Sequence, residues 1–537
     1  MSQARSPGTR FLRVRRLLRL DLATLDLATR ALATLVLHVA CFAPLIAQAP
    51  AAPAKPPAKP AAAPTQQPKA QPEKAQQPAA QPPKAQQPAA TRTSFTAPDG
   101  SRFVLIQDAA MSQVEWAVAT SNDPQDEPPG LEGLTAAVTN SSMLGTWTTG
   151  SIDPIRERKV LADLDQAFAD LLAAPQNADL RARMAAAQGE ALALSDTEAF
   201  ARVLATLPAN RPEVTAKDGV CLLQLTTLPE TIGAVGELLV ERREQQALRD
   251  VGKLWMREVV ARQSAYDANP ASTVYAELLA LALPNQPASR AAERAGRSMP
   301  RRDQAMAVWQ TTQRPERTVH VLLGNIDLAS TKATLTRVFA KTTLPAEPRP
   351  PAALLRPIQS VRRSTVPGTR MPMVAFAWVL PEIQDPFVLE VAARWFGDGP
   401  DSWLGRELLA AGYKSCQVSC RAPWPPTIGG RSLMLVEVRD PAGSKGLADA
   451  ALAAASKALK QTPSPADMNR ITTSLQLAWT TVTADPRWQA GELARAALLW
   501  PQREPPLSVR ENTEPQKVQQ MLQGIFAGQP VVVEGRQ

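Results

Sequence analysis

Apolar positions in this chain switch repeatedly between a period of two and a period of three to four. Phe95 to Asp108, FTAPDGSRFVLIQD, alternates about an Asp99-Gly100 turn and predicts a hairpin. Val114 to Thr120 predicts a second strand, and Gly130 to Thr146 a helix with glycines near its start. Between Ser151 and Arg211 the period becomes helical, with Leu161, Leu164, Phe168 and Leu171 on one stripe. Cys221 to Thr226 returns to a strand. Thr231 to Ser264 predicts one long or broken helix, and Thr273 to Ala282 another.

The alternation restarts at Thr318 with the strand VHVLLGNID. A helix over Leu328–Ala340, a strand over Met373–Leu380 and a helix over Pro386–Phe396 follow. Trp403 to Ala411 predicts a helix closed by Gly412, and Tyr413–Cys420 and Ser432–Val438 predict strands. Helices over Leu447–Leu459, Ala466–Val482 and Ala490–Leu499 finish the predicted elements. The scheme of residues 92–305 is repeated in outline by residues 318–537, with 306–317 as a linker. The prediction is an α+β fold of two similar α/β-sandwich domains.

The first 91 residues obey neither period. Residues 1–49 carry a basic start, an apolar run from Ala31 to Ile46 and the sequence Ala47-Gln48-Ala49, which fits a signal peptide or an uncleaved N-terminal anchor. Residues 50–91 are built from Pro, Ala, Gln and Lys, which cannot form a core, and predict a disordered, semi-extended tether. Such a leader implies an exported, periplasmic or envelope-associated protein, with membrane contact only through that N-terminus.

Charge follows the same division. Residues 1–91 hold 12 of the 59 Lys and Arg and 3 of the 50 Asp and Glu, so the remainder holds 47 of each sign. The body is neutral, which argues against a nucleic-acid partner. Of the four cysteines, Cys416 and Cys420 share one face of a strand with Val418 and are expected to be core thiols; no disulfide framework is implied. Only two histidines occur, His38 in the leader and His320 in a strand. No histidine-based zinc site can be built from them.

The stretch PGLEGLTAAVTNSSMLGT, read from Pro129, resembles the metal helix of the pitrilysin/insulinase metallopeptidases. Further resemblances run in the family's order: FTAPDGSRFVLIQD, DEPPGLEGL, REVVARQSAYDANPASTVY, VHVLLGNID and WFGDGPDSWLGRELLAAGY. The resemblance places Ala136, Thr139 and Asn140 where the family has His, Glu and His, and Ala261 where it has the third zinc ligand. It therefore implies a member with no metal of its own and no activity alone. Arg406 and Tyr413, in GRELLAAGY, keep the family's Arg-x6-Tyr spacing for holding substrate and stabilising an oxyanion. The resemblance then implies a subunit that pairs with a homologous, zinc-bearing peptidase subunit and adds Arg406 and Tyr413 to a shared peptide site. The alternative is a non-catalytic peptide-binding or scaffolding protein of the cell envelope.

Overall fold

The computed structural model describes residues 91–122, 126–210, 212–217, 219–284, 299–340, 355–426, 432–443, 445–503 and 513–537. The chain divides into Met1–Ala85 and Gln86–Gln537, and every described residue lies in the second unit. The expected leader and all of the tether but its last residue fall outside the described residues. That residue, Thr91, already belongs to the first strand. No described helix is long and apolar enough to cross a membrane.

The strands are β1 (Thr91–Thr96), β2 (Arg102–Gln107), β3 (Val114–Ser121), β4 (Glu213–Lys217), β5 (Val220–Thr227), β6 (Thr318–Gly324), β7 (Arg362–Val366), β8 (Met373–Val379), β9 (Gln417–Trp424), β10 (Leu433–Arg439) and β11 (Val531–Gly535). The helices of the first half are α1 (Leu134–Ser141), α2 (Pro154–Ala173), α3 (Ala178–Ala193), α4 (Ala199–Thr206), α5 (Ile232–Glu244), α6 (Val251–Ala268), α7 (Ser272–Ala282) and α8 (Arg302–Thr312). After them come α9 (Leu328–Val338), α10 (Pro386–Gly397), α11 (Trp403–Ala410), α12 (Leu447–Ala458), α13 (Pro465–Thr483), α14 (Pro486–Leu499) and α15 (Pro515–Phe526).

Two sheets form, in the orders β1-β2-β6-β3-β5-β4 and β7-β11-β8-β10-β9. The first contains a strand from the second half of the chain. β6 pairs parallel to β2 and antiparallel to β3, so Thr318 opens no second sheet. Residues 306–317 are not a free linker either. They hold most of α8, whose Val308 and Trp309 are buried against α1 and α6. An apolar stripe with a Trp needs a partner surface, and α1 supplies it.

The helices that cover the sheets cross over in the same way. One face of the first sheet presents Leu105, Trp116, Leu225 and Leu322 to α5 and α9, the helices that follow its strands β5 and β6. Its other face presents Val104, Ala117, Ala119, Val321 and Leu323 to Leu493, Ala494, Ala497 and Leu498 of α14. The second sheet packs Phe376, Trp378, Met434 and Val436 on α10, α12 and α15, and Ala375, Ala377, Leu435 and Val533 on α7. Each sheet is thus covered on one face by local helices and on the other by a single helix from the opposite half. The alternating strands demand both covers, because both faces are apolar.

The fit of α14 is close. A Cβ on Gly491 would stand 2.8 Å from Nε2 of Gln224 and 2.9 Å from Leu222, and that same Nε2 donates to the carbonyl of Arg487 at 2.7 Å. Helix meets strand here because glycine leaves the space. Three elements absent from the expected set, β7, α15 and β11, complete the second sheet and its cover. β11 lies inside the sheet, parallel to β7 and antiparallel to β8.

Candidate functional site

Helix α1 begins at Gly133, whose φ of 98° is in the left-handed region. No side chain of the cap residue satisfies the first N–H groups. The buried carboxylate of Glu127 does so instead, accepting from the Gly133 N–H at 2.9 Å and from the Thr135 N–H at 2.8 Å. Burial pushes the Glu127 pKa up, opposed by the Arg262 charge and by these bonds. Nothing in the hydrophobic pattern marks Glu127; its position seven residues before α1 is the one sequence signal.

Arg262 comes from α6, which packs along α1. A Cβ on Gly133 would lie 3.1 Å from Nε of Arg262 and 3.5 Å from Cβ of Glu258. Glu258 and Arg262, one turn apart, therefore face α1. Ala261 is one residue, about 100° of rotation, away from Arg262, and it is exposed. On α6 it is Glu258 and Arg262, not Ala261, that face the start of α1.

The three other degenerate positions lie on α1 itself. Ala136 is fully buried and has no ligand atom. Thr139 donates through Oγ1 to the carbonyl of Thr135 at 2.8 Å, and Asn140 donates through Nδ2 to the carbonyl of Ala136 at 3.0 Å. Both polar side chains thus fold back on their own helix. Behind Thr139 lies Cys221 of β5, a free thiol with its pKa pushed up to about 12 by burial and hydrogen-bonded to Thr139. Arg242 of α5 lies near that thiol, over the Trp309 ring at 5.2 Å, and burial lowers its pKa to about 9.

The residues present do not fit a zinc ion. Both oxygens of Glu127 are taken up by N–H groups of α1, Glu258 lies beside the Arg262 guanidinium, and that cation opposes a second positive charge. Among the described residues no group of three or more His, Cys, Asp or Glu is placed to hold a metal. His320 takes no part: it sits in the core of the first sheet, stacked on Phe103 at 4.5 Å and accepting from Nε1 of Trp116 at 3.2 Å.

Arg406 and Tyr413 are placed by α11. Ser402 caps that helix, and Leu404 and Leu408 are buried beneath it. Arg406 points away from this stripe. Its Nη1 donates to Oδ1 of Asp467 at 2.7 Å and to the carbonyl of Asp401 at 2.8 Å, while Nη2 stands 3.4 Å from Oδ2 of Asp467. The Arg406 side chain remains 43% exposed. Gly412, at φ 97°, ends the helix, and the Tyr413 N–H donates to the carbonyl of Leu408 at 3.0 Å.

Tyr413 is not on a strand. β9 starts four residues later at Gln417, so Tyr413 does not share the face of Ser415, Gln417 and Ser419. Its ring packs on the second core and its hydroxyl donates to the carbonyl of Lys445 at 3.1 Å. No hydrogen bond joins Arg406 to Tyr413 among the described residues. The expected cysteine face is met in part: Val418 and Cys420 are on β9 but Cys416 precedes it, and with Val418 buried both thiols pack half-buried on the same core. A cavity of about 260 Å³ opens elsewhere, between α2, α3 and the start of α6, and none of the six candidate residues lines it.

Residues 301–421 match the family model described as "Peptidase M16 inactive domain". No curated protein is significantly similar in sequence. Among solved structures, a protease from Helicobacter pylori is similar with a TM-score of 0.61 at 12% identity, over 83% of this chain and 100% of that one. A peptidase M16 inactive domain from Pseudomonas fluorescens follows at 0.56 and 15%, over 83% and 98%. A putative M16-like peptidase from Alicyclobacillus acidocaldarius stands at 0.53 and 14%, over 84% and 99%. At these identities the likeness is one of fold. Residues 301–421 are thus similar to that inactive peptidase domain, and the chain has the fold of M16-like peptidases.

Proposed function

We propose that this chain is the inactive subunit of a two-chain peptidase, pairing with a homologous subunit that brings the zinc and the general base. One observation carries this reading. The metal helix is kept, capped by Glu127 and packed on α6 and α8, while Ala136, Thr139 and Asn140 hold nothing that binds zinc. A chain that preserves the scaffold without the chemistry is suited to build a wall of a shared chamber. The solved Pseudomonas fluorescens relative is likewise titled an inactive domain.

This chain's share would be Arg406 and Tyr413. Asp467 holds the Arg406 guanidinium in one orientation and leaves part of it open to solvent, where it can grip a peptide carbonyl or carboxylate. The Tyr413 hydroxyl would have to turn from the Lys445 carbonyl to donate to a developing oxyanion. The test is peptide cleavage by the chain alone, by a zinc-bearing homologue alone and by the two together. The pair alone should cleave well. Arg406→Ala or Tyr413→Phe should lower its turnover at least about tenfold while the subunits still co-elute, a loss of roughly 1.4 kcal/mol of transition-state stabilisation or more. Unchanged turnover in both variants ends the in-trans role.

A second reading, a non-catalytic peptide-binding or scaffolding protein, is favoured by one fact: both side chains already have partners within the chain. Peptide retention with no cleaving partner, indifferent to both substitutions, would select it.

A further inference from the structure

Helix α7 covers only part of the second sheet. It packs on β7, β8 and β11 and over Leu433 and Leu435 of β10, and its cover ends at Tyr275. Beyond that point the same face of β9 and β10 is open and polar. Gln417 and Arg421 are exposed, Ser419 and Arg439 are partly so, and the register sets Ser419 opposite Glu437 and Gln417 opposite Arg439.

The floor of this strip is the carboxylate of Glu437, with a side chain only 2% exposed. It accepts from the Tyr275 hydroxyl and from Nε of Arg439, and Nη2 of Arg421 stands 3.4 Å away. Arg421 also donates to the Tyr275 hydroxyl at 2.8 Å and lies over its ring at 5.6 Å, and the Trp424 ring adjoins that of Tyr275 at 5.4 Å. Two guanidiniums thus share one buried anion, which leaves an excess positive charge facing solvent. Arg421 keeps half of its side chain exposed. Beside them, the amide of Gln417 and the hydroxyl of Ser419 have no hydrogen-bond partner among the described residues.

We propose that this strip is a docking site for an acidic side chain of an extended peptide, its carboxylate bridging Arg421 and Arg439. The buried Glu437 fixes both guanidiniums, so little side-chain freedom is lost on binding. The carboxylate supplies the second negative charge, and each of its oxygens can accept from one guanidinium. Gln417 and Ser419 lie along the strand where the peptide's neighbouring polar groups would run, and the Tyr275–Trp424 pair offers an apolar wall. That the ligand is a peptide rests on the reading proposed above; the charge and geometry of the strip do not.

The test uses the full chain without a partner subunit, and fluorescence anisotropy with a labelled, C-terminally amidated decapeptide carrying two central glutamates. A second peptide carries glutamine at both positions. At low salt the glutamate peptide should bind roughly tenfold tighter than the glutamine peptide, and the difference should shrink as salt is raised. Arg421→Gln, at an exposed position, and Arg439→Gln should each remove most of that difference. Equal binding of the two peptides, or full preference retained by both variants, overturns the proposal. Arg406→Ala is the control: preference lost there and kept in Arg421→Gln would move the anion site to Arg406 and also refute it. Failure of the two-chain cleavage assay leaves this measurement untouched.

Discussion

His320 shows how a residue that looks like chemistry becomes core. Burial, with the charges of Arg243 and Arg242, lowers its pKa from 6.5 to about 3. The unfolded chain takes up a proton on this imidazole below about pH 6.5, and the folded chain refuses it until about pH 3. Its contribution is therefore complete above that window and is lost as pH falls through it, by up to about 1.4 kcal/mol per unit. Denaturant unfolding at pH 7.5, 5.5 and 4.5 should show wild type losing stability faster than His320→Phe. Glu127 acts in the opposite sense, because its raised pKa favours a proton in the folded state. The comparison between the two proteins cancels that term. Glu127→Gln should in turn cost about 1–3 kcal/mol in thermal or denaturant melts near neutral pH, since one side of the amide cannot accept from an α1 N–H.

Much of the residue scale was legible beforehand. The Gly133 and Gly412 positions and the inward face of Val418 follow from spacing, while the reading of Ala136, Thr139 and Asn140 rests on the resemblance. Two placements were not. Glu258 rather than Ala261 faces α1 because the phase of α6 is set by Trp255 and Val259 in the core, which the resemblance of REVVARQSAYDANPASTVY does not reveal. Tyr413 reads as part of an alternating run, but Gly412 turns the backbone first and four residues pass before any strand pairing.

At the scale of elements, α14 carries a prediction. Leu493 is 1% exposed between that helix and the first sheet, so Leu493→Ala should destabilise by about 2–5 kcal/mol. Leu477 on α13 is 69% exposed, and Leu477→Ala should stay within about 0.5 kcal/mol of wild type. Parallel denaturant titrations compare the two directly. The expected elements are mostly present; the exceptions have local causes. β4 and β7 are short, polar edge strands without a period to read, with burial patterns of mainly exposed residues. β11 is the opposite case, a plain apolar Val531-Val532-Val533 run near the chain's end whose place inside the sheet is set by partners more than 150 residues earlier.

At the scale of the whole molecule, there are two sheets, but the chain is not divided between them at residues 305–318. A cut between residues 305 and 318 gives one piece without β6 and α14 and another without α7. Each piece would then expose an apolar sheet face of the kind that drives aggregation. Pieces 92–305 and 306–537 should be insoluble or unfolded when made singly and should recover native circular dichroism only when made together. A soluble, cooperatively melting single piece would contradict this account. None of this exchange is visible in periodicity, which reports that a face is apolar and not which helix lies on it.

The crossing of α14 also has a meaning in time. During synthesis the first sheet stands with one face bare until residue 498 has left the ribosome, and the second lacks an inner strand until residue 535 has. Neither half can be finished early and stored. The whole described body must come together after nearly all of it has been made, so its newly made chain spends most of its synthesis as a client for whatever shields apolar surface.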